Sequence, residues 1–132
     1  MTRAWLALGS ILGDRPAYLQ ATRESLAREG IDVVRASAVA ETDPVGVLEQ
    51  PRFLNQVLEV ETQLEPRALL EAIKRLEREL GRTARQRWGP REIDIDILRF
   101  DDRTVDEPGL RIPHPELPNR PFLKTLLQEI TP

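Results

Sequence analysis

The stretch Arg91-Glu92-Ile93-Asp94-Ile95-Asp96-Ile97-Leu98 alternates apolar and acidic residues through its centre. Because side chains of a β-strand point alternately to opposite faces, the isoleucines are predicted to share one face, and Asp94 and Asp96 the other. The two aspartate Cα atoms are then expected roughly 7 Å apart. Carboxylates this close repel each other, and aspartate is disfavoured in strands. The pattern therefore predicts a buried apolar face and a compensating cation on the acidic face.

The rest of the chain supplies further strand and helix patterns around this segment. Apolar, partly alternating stretches predict strands at 3–9, 31–41, 53–61 and 93–100. Capping residues and helical spacing predict helices at 14–30 and 66–81, and a last helix at 119–129. Proline, glycine and polar residues predict loops at 42–51 and 82–90 and irregular structure at 101–118. The order β-α-β-β-α-β is typical of an α+β, ferredoxin-like antiparallel sheet with helices on one face, here with an added C-terminal helix.

Bulk composition limits the classes of protein that this chain can represent. Its 132 residues suit a single domain spanning 1–132, and 40% hydrophobic with 31% charged residues is typical of a soluble globular protein. No apolar run approaches the ~20 residues of a membrane span, and Asp14 and Arg15 follow the first strand too soon for a signal peptide. The formal net charge of −3 disfavours nucleic-acid binding. We therefore expect a cytoplasmic protein, with a monomer as the default.

Arginines and one tryptophan precede the aspartates, and the single histidine follows them. Arginine binds phosphate oxygens through two parallel hydrogen bonds, and carboxylates with phosphates are the ligands that Mg²⁺ prefers. Trp88 lies in a Gly-Pro loop, where it suits either a water-excluding anchor or packing at the sheet edge. His114 has no second histidine with which to form a zinc site. A magnesium and phosphate site is thus indicated, although two ordinary aspartates on a solvated strand face stay an open alternative.

The segment 87–97 resembles the signature of the 6-hydroxymethyl-7,8-dihydropterin pyrophosphokinases, a family of folate biosynthesis. Weaker motifs similar to those of the family occur in the right order along nearly the whole chain, at 7–10, 12–15, 41–46, 50–55, 112–114 and 119–122. Three positions depart from the family pattern: Ile11 replaces an asparagine, Gly109 lies near a basic position, and Pro115 replaces a frequent aromatic residue.

The resemblance implies a reaction, its metal and its nucleotide site. The reaction is transfer of diphosphate from ATP to the hydroxymethyl group of 6-hydroxymethyl-7,8-dihydropterin, with release of AMP. Asp94 and Asp96 would hold two Mg²⁺ ions, and Arg82 and Arg91 would join them as catalytic residues. The positions that the resemblance assigns to ATP are Glu77, Arg82, Arg85, Trp88, Arg91, Ile97, His114 and Arg120.

The resemblance also implies a pterin site. Asn55 would hydrogen-bond the edge of the ring, and Phe53 and Phe122 would stack on its faces. By strand alternation Phe53 and Asn55 share a face, but a core phenylalanine and a strand-edge asparagine would give the same pattern. The positions assigned to the pterin are Thr42, Asp43, Val45, Phe53, Asn55, Asp94 and Phe122.

Two other classes of protein stay open at this level. An RNA-binding or ligand-binding module can use the same fold, but it would carry exposed aromatics and positive charge, whereas this chain has 5% aromatic residues. A regulatory protein that binds ATP or pterin without turnover is the second alternative. The retained aspartates and arginines favour an active enzyme over both.

Overall fold

An antiparallel sheet runs through the computed structural model, which describes residues 2–10, 15–42, 53–84 and 94–130. Its strands are β1 (Thr2–Ser10), β2 (Ile31–Ala36), β3 (Ala40–Thr42), β4 (Phe53–Thr62) and β5 (Asp94–Phe100). The spatial order is β2-β4-β1-β5, and β3 pairs with β4 beyond the end of β2. With β2 and β3 counted as one interrupted strand, this is the order 2-3-1-4. The predicted ferredoxin-like arrangement is therefore confirmed.

Two helices, α1 (Arg15–Arg28) and α2 (Pro66–Ala84), share the larger core cluster with one face of the sheet. Leu69, Ile73 and Leu76 of α2 recur at helical spacing and are buried there. Ile95 and Ile97 of β5 are buried in the same cluster. The predicted apolar face of the aspartate strand is thus confirmed for these two isoleucines, and Ile93 lies outside the described residues.

A third helix, α3 (Pro121–Ile130), packs on the opposite face of the sheet. Its residues Leu123, Leu126, Leu127 and Ile130 form a second core cluster with β-strand side chains that include Ala7, Val57 and Leu98. The Glu129 Oε2 accepts a hydrogen bond of 2.9 Å from the Ala38 N–H, which ties α3 to the segment between β2 and β3. The expected placement of helices on one face therefore holds for α1 and α2, whereas the added C-terminal helix covers the other face.

Two predicted boundaries are wrong for identifiable reasons. The strand expected at 31–41 is interrupted at Ser37, because the Ser37 Oγ accepts the Val57 N–H at 2.9 Å in place of a backbone carbonyl. Helix α2 continues past Gly81 to Ala84 instead of ending there. A helical glycine costs only about 1 kcal/mol, which the packing of the buried face of α2 can offset.

The segment 101–118, expected to be irregular, contains a hairpin of β6 (Val105–Glu107) and β7 (Leu110–Ile112) and a 3₁₀ turn at Leu117–Asn119. Gly109 turns the chain with a φ of 75°, a left-handed conformation that favours glycine. Arg67 of α2 donates hydrogen bonds to the Glu107 carboxylate at 2.8 Å and to the Pro108 carbonyl at 3.1 Å. The hairpin is therefore held against α2. No helix in the described part of the chain is long and apolar enough to cross a membrane.

Candidate active site

Asp94 and Asp96 lie on β5, on the sheet face that α3 covers in part. In the antiparallel register with β1, Asp94 is opposite Gly9 and Asp96 is opposite Ala7, which belongs to the α3 core cluster. Ile95 is opposite Leu8, which belongs to the core on the other face. The predicted common face of the aspartates is therefore confirmed. The Asp96 side chain is 51% exposed, so its carboxylate is open to a ligand.

His114 faces Asp96, with 3.9 Å between His114 Nε2 and Asp96 Oδ1. Three hydrogen bonds to backbone groups hold the histidine in place: its N–H donates to the Leu98 carbonyl at 3.0 Å, its carbonyl accepts the Leu117 N–H at 3.1 Å, and its Nδ1 accepts the Glu116 N–H at 3.1 Å. Because Nδ1 is the acceptor here, a neutral imidazole carries its proton on Nε2. The structure thus brings the only histidine of the chain to one of the two aspartates, with its donor nitrogen on the aspartate side.

A cavity of about 360 Å³ opens between α2 and the β6–β7 hairpin, next to the outer edge of β5. This volume is in the range of small-molecule sites in proteins. Apolar side chains and a few charged groups line it together, which is also typical of such sites. Its lining residues are Leu70, Lys74, Ile95, Asp96, Ile97, Gly109, Leu110, Arg111, His114 and Pro115.

Glu77 connects α2 to the aspartate strand. Its side chain is only 8% exposed, and its Oε2 accepts the Ile95 N–H at 2.8 Å. Its Oε1 accepts a hydrogen bond of 3.1 Å from the Lys74 ammonium, which lines the cavity. The carboxylate therefore lies behind the cavity wall, between a cavity cation and the Asp94–Ile95 peptide of the aspartate strand.

A row of three paired residues crosses the sheet at the level of Asp94. Gly9 of β1 is paired with Asn55 of β4 on one side and with Asp94 of β5 on the other, so Asn55 and Asp94 share a face about 10 Å apart. Gly9 has no side chain to fill the space between them. A Cβ there would be 3.6 Å from Asn55 Oδ1. Asn55 is nearly buried, and its Nδ2 donates to the Ala40 carbonyl at 3.4 Å.

Besides Glu77, Asn55 and Asp94, which are placed above, the predicted site residues fall into four groups. The cavity brings together Asp96, Ile97 and His114, whereas Arg120 is exposed at the start of α3 and outside the cavity lining found among the described residues. The backbone of four others is described without their side chains: Thr42 and Phe53 are paired on β3 and β4, and Arg82 and Phe122 belong to α2 and α3. The remaining predictions fall on residues outside the described ranges, namely Asp43, Val45, Arg85, Trp88 and Arg91.

Sequence reasoning missed several residues of the cavity wall. Leu70 and Lys74 are one turn apart on α2, and this i, i+4 spacing is the signal that could have placed them together. Arg111 stands between buried Leu110 and Ile112, so alternation could have placed it on the outer face of a strand. That strand was itself not predicted.

A ferredoxin-like sheet with two aspartates on one face, one of them lining a cavity of small-molecule size, is an arrangement that suits the class of enzymes of phosphoryl-type transfer. Residues 5–132 match the family model of 7,8-dihydro-6-hydroxymethylpterin-pyrophosphokinase. The chain belongs to this pyrophosphokinase family.

Named relatives agree with that assignment. The 2-amino-4-hydroxy-6-hydroxymethyldihydropteridine pyrophosphokinase of Bacillus subtilis is 44% identical over 128 residues, which cover 96% of this chain and 77% of the relative. The enzyme of the same name from Aquifex aeolicus is 43% identical over 132 residues, 100% of this chain and 82% of the relative. The mitochondrial folate synthesis bifunctional protein of Pisum sativum is 39% identical over 125 residues, 95% of this chain but 24% of that longer protein.

Proposed function

We propose that the protein transfers diphosphate from ATP to the hydroxymethyl group of 6-hydroxymethyl-7,8-dihydropterin, giving AMP and the pterin diphosphate. One observation carries the proposal: Asp96 lines the cavity, while Asp94, on the same sheet face, lies in one row with Gly9 and Asn55. A nucleotide in the cavity and a flat ring on that row would meet at the two aspartates.

The cavity supplies an apolar wall for the nucleotide base from Leu70, Ile97 and Leu110. The triphosphate would run towards Asp96, where the Nε2–H of His114 can donate to a phosphate oxygen. The family resemblance adds Arg82, Arg85, Arg91 and Arg120 as phosphate-binding residues and Trp88 as a nucleotide contact. These arginines would offset the negative charge of a triphosphate locally. The small net charge of the chain as a whole does not offset it.

The donor set of Asp94 and Asp96 fits magnesium. Both donors are carboxylates on one sheet face, the ligand type that Mg²⁺ takes when substrate phosphates complete its coordination. Asp96 is half-exposed and therefore accessible to such an ion. We infer two ions at these residues; bound Mg²⁺ would neutralise charge on the phosphate oxygens.

For the pterin we infer that Asn55 hydrogen-bonds the ring edge and that Phe53 and Phe122 contact its faces. Backbone groups near Thr42, Asp43 and Val45 would complete this site. The hydroxymethyl oxygen would then lie near Asp94, in line to attack the β-phosphorus of ATP. The new O–P bond forms as the bond from that phosphorus to the α,β-bridging oxygen breaks, AMP leaves, and the hydroxyl proton passes to water. Catalysis of this kind is mostly positioning and charge neutralisation.

Product analysis tests the reaction. The protein is incubated with ATP, Mg²⁺ and the reduced hydroxymethylpterin, and the nucleotides are followed by ³¹P NMR and mass spectrometry. AMP together with pterin diphosphate is expected. ADP would instead indicate single phosphoryl transfer, and binding without turnover would indicate a regulatory or binding module. That the enzyme acts as a cytoplasmic monomer stays a prediction.

Arg111 is expected to strengthen ATP binding. It lines the cavity, its side chain is 68% exposed, and its contact with Asp106 is long, at 3.5 Å between Nε and Oδ1. The guanidinium can therefore turn to a phosphate or ribose oxygen at small cost. Arg111→Ala should raise KM for ATP about fivefold with kcat within about twofold, as expected for one partly exposed charged contact. Arg99→Ala is the control, because Arg99 lies on the same strand as the aspartates but outside the cavity lining. Equal KM values for ATP in the two variants would contradict the proposed role of Arg111.

Asn55 is expected to determine pterin affinity. Asn55→Ala should raise KM for the pterin roughly tenfold or more while KM for ATP changes little, because a buried polar partner of the ring is lost. Initial rates with each substrate varied separately give this comparison. Exposed Asn119→Ala serves as the control. A rise in KM for ATP alone would contradict the assignment of Asn55 to the pterin site.

A further inference from the structure

We propose that Glu77 is a positioning residue: its carboxylate holds the outer edge of β5 and thereby sets the geometry of Asp94 and Asp96. The proposal rests on the proposed function for the chemistry that the aspartates perform. It differs from a direct contact between Glu77 and the nucleotide, which is what the family resemblance implies for this position.

The hydrogen bond to β5 is the first support. Ile95 lies between the two aspartates, and its N–H donates to Glu77 Oε2 at 2.8 Å. In the described sheet β5 follows β1 at the end of the order β2-β4-β1-β5, so the outer edge of β5 has no neighbouring strand there. An N–H on such an edge needs a partner from elsewhere. A hydrogen bond to a carboxylate is stronger than one to a neutral acceptor, and this carboxylate is almost fully buried.

The place of Glu77 relative to the cavity is the second support. Lys74 and Ile95 are partners of its carboxylate and both line the cavity, but Glu77 itself is not part of the lining found in the described chain. An acidic group behind the wall avoids repulsion with a triphosphate. Its Oε1 instead accepts a hydrogen bond of 3.1 Å from the ammonium of Lys74, a residue that lines the same cavity. One carboxylate therefore holds both a cavity cation and the strand that carries the proposed metal ligands.

The consequence for catalysis follows from how the aspartates are attached. The Ile95 N–H belongs to the peptide plane between Asp94 and Ile95, so its hydrogen bond to Glu77 holds this plane, which is attached to the Asp94 Cα and lies one residue before Asp96. Without this anchor the edge strand can open locally and shift. A displacement of about 1 Å at reacting groups can cost about 10²-fold in rate. Loss of the anchor should therefore reduce kcat and weaken the response to Mg²⁺.

Two variants of matched size separate the roles of the side chain. Glu77→Met keeps its length and removes both oxygens, whereas Glu77→Gln keeps an oxygen that can accept the Ile95 N–H. Glu77→Met should lower kcat about 10²-fold and raise the Mg²⁺ concentration for half-maximal rate several-fold. Glu77→Gln should stay within about threefold of the wild type in kcat, because the anchoring hydrogen bond remains. Glu71→Ala, which removes an exposed carboxylate of the same helix, is the matched control.

Amide hydrogen exchange of metal-free protein gives a readout that is independent of activity. In Glu77→Met the Ile95 amide should exchange at least ~10-fold faster than in the wild type, while the amides of Leu6 and Leu58 in the central strands keep their protection. In Glu77→Gln the Ile95 amide should stay protected. If the wild type forms no AMP, the proposed function fails, and the exchange of Ile95 still tests the anchor.

Two results would overturn the proposal. One is a protected Ile95 amide together with a normal Mg²⁺ dependence in Glu77→Met. The other is an equal rise of KM for ATP in both Glu77 variants at unchanged kcat, which would make Glu77 a nucleotide contact. Lys74→Met is the comparison for the second result. This variant should raise KM for ATP and leave the hydrogen exchange of the Ile95 amide unchanged.

Discussion

Replacing either Asp94 or Asp96 by alanine is expected to lower kcat by ~10³-fold or more, because groups that neutralise a transferring phosphoryl group contribute effects of this size. The fold should survive. Neither aspartate belongs to a core cluster, and Asp96 is half-exposed on the sheet face. Removing one of two neighbouring carboxylates also relieves repulsion, and alanine is no worse than aspartate in a strand.

The measurement is the steady-state rate of AMP formation at saturating ATP, pterin and Mg²⁺, with thermal unfolding of the same preparations. Asp94→Asn and Asp96→Asn keep the shape of the side chains and remove the charge, so they should lose activity as well. Asp102→Ala, an exposed carboxylate just beyond the end of β5, is the control and should leave the rate unchanged. Normal turnover in either alanine variant would refute the metal assignment.

Phe100→Ala should produce the largest loss of stability, about 3–5 kcal/mol in the free energy of unfolding. Phe100 is fully buried at the end of β5, in the core between the sheet and helices α1 and α2. The Arg103 guanidinium lies 5.5 Å from the centre of its ring and closes this end of the core. Because domains of this kind are stable by only about 5–15 kcal/mol, the variant should be close to unfolding at 37 °C.

Urea unfolding followed by circular dichroism measures this effect through the shift in midpoint at constant slope. Val34→Ala is the control, since Val34 on β2 is 39% exposed and its truncation should change stability by less than about 0.5 kcal/mol. A loss below 1 kcal/mol in Phe100→Ala would show that its ring is not packed in the core.

Local patterns were sufficient for most of the secondary structure. The alternation around Asp94 and Asp96 predicted which face of β5 is buried, and the spacing of Leu69, Ile73 and Leu76 predicted α2. The failures depend on distant partners. Ser37 interrupts its strand because its hydroxyl meets the Val57 N–H, and the hairpin 105–112 is held to α2 by Arg67. No local pattern carries such contacts.

The residues of the candidate site also divide into those that the sequence predicts and those that depend on distant partners. Asp94, Asp96, Ile97 and His114 could be selected from the sequence because their motifs are contiguous and the resemblance assigns them roles. Lys74 and Arg111 could not be paired in advance, since only the packing of a short hairpin against α2 makes them neighbours across one cavity. Their distance in space depends on long-range packing rather than on spacing along the chain.

By itself the sequence determined the class of fold, the acidic face of the aspartate strand and the family resemblance, because each of these is written in residues close together along the chain. Tertiary structure alone decided that α3 covers the opposite sheet face, that a cavity opens beside β5, and that the Glu77 carboxylate meets the Ile95 N–H. The physical reason is that a buried carboxylate and an edge-strand amide each require a hydrogen-bonding partner, and only the folded chain determines which partner is within reach.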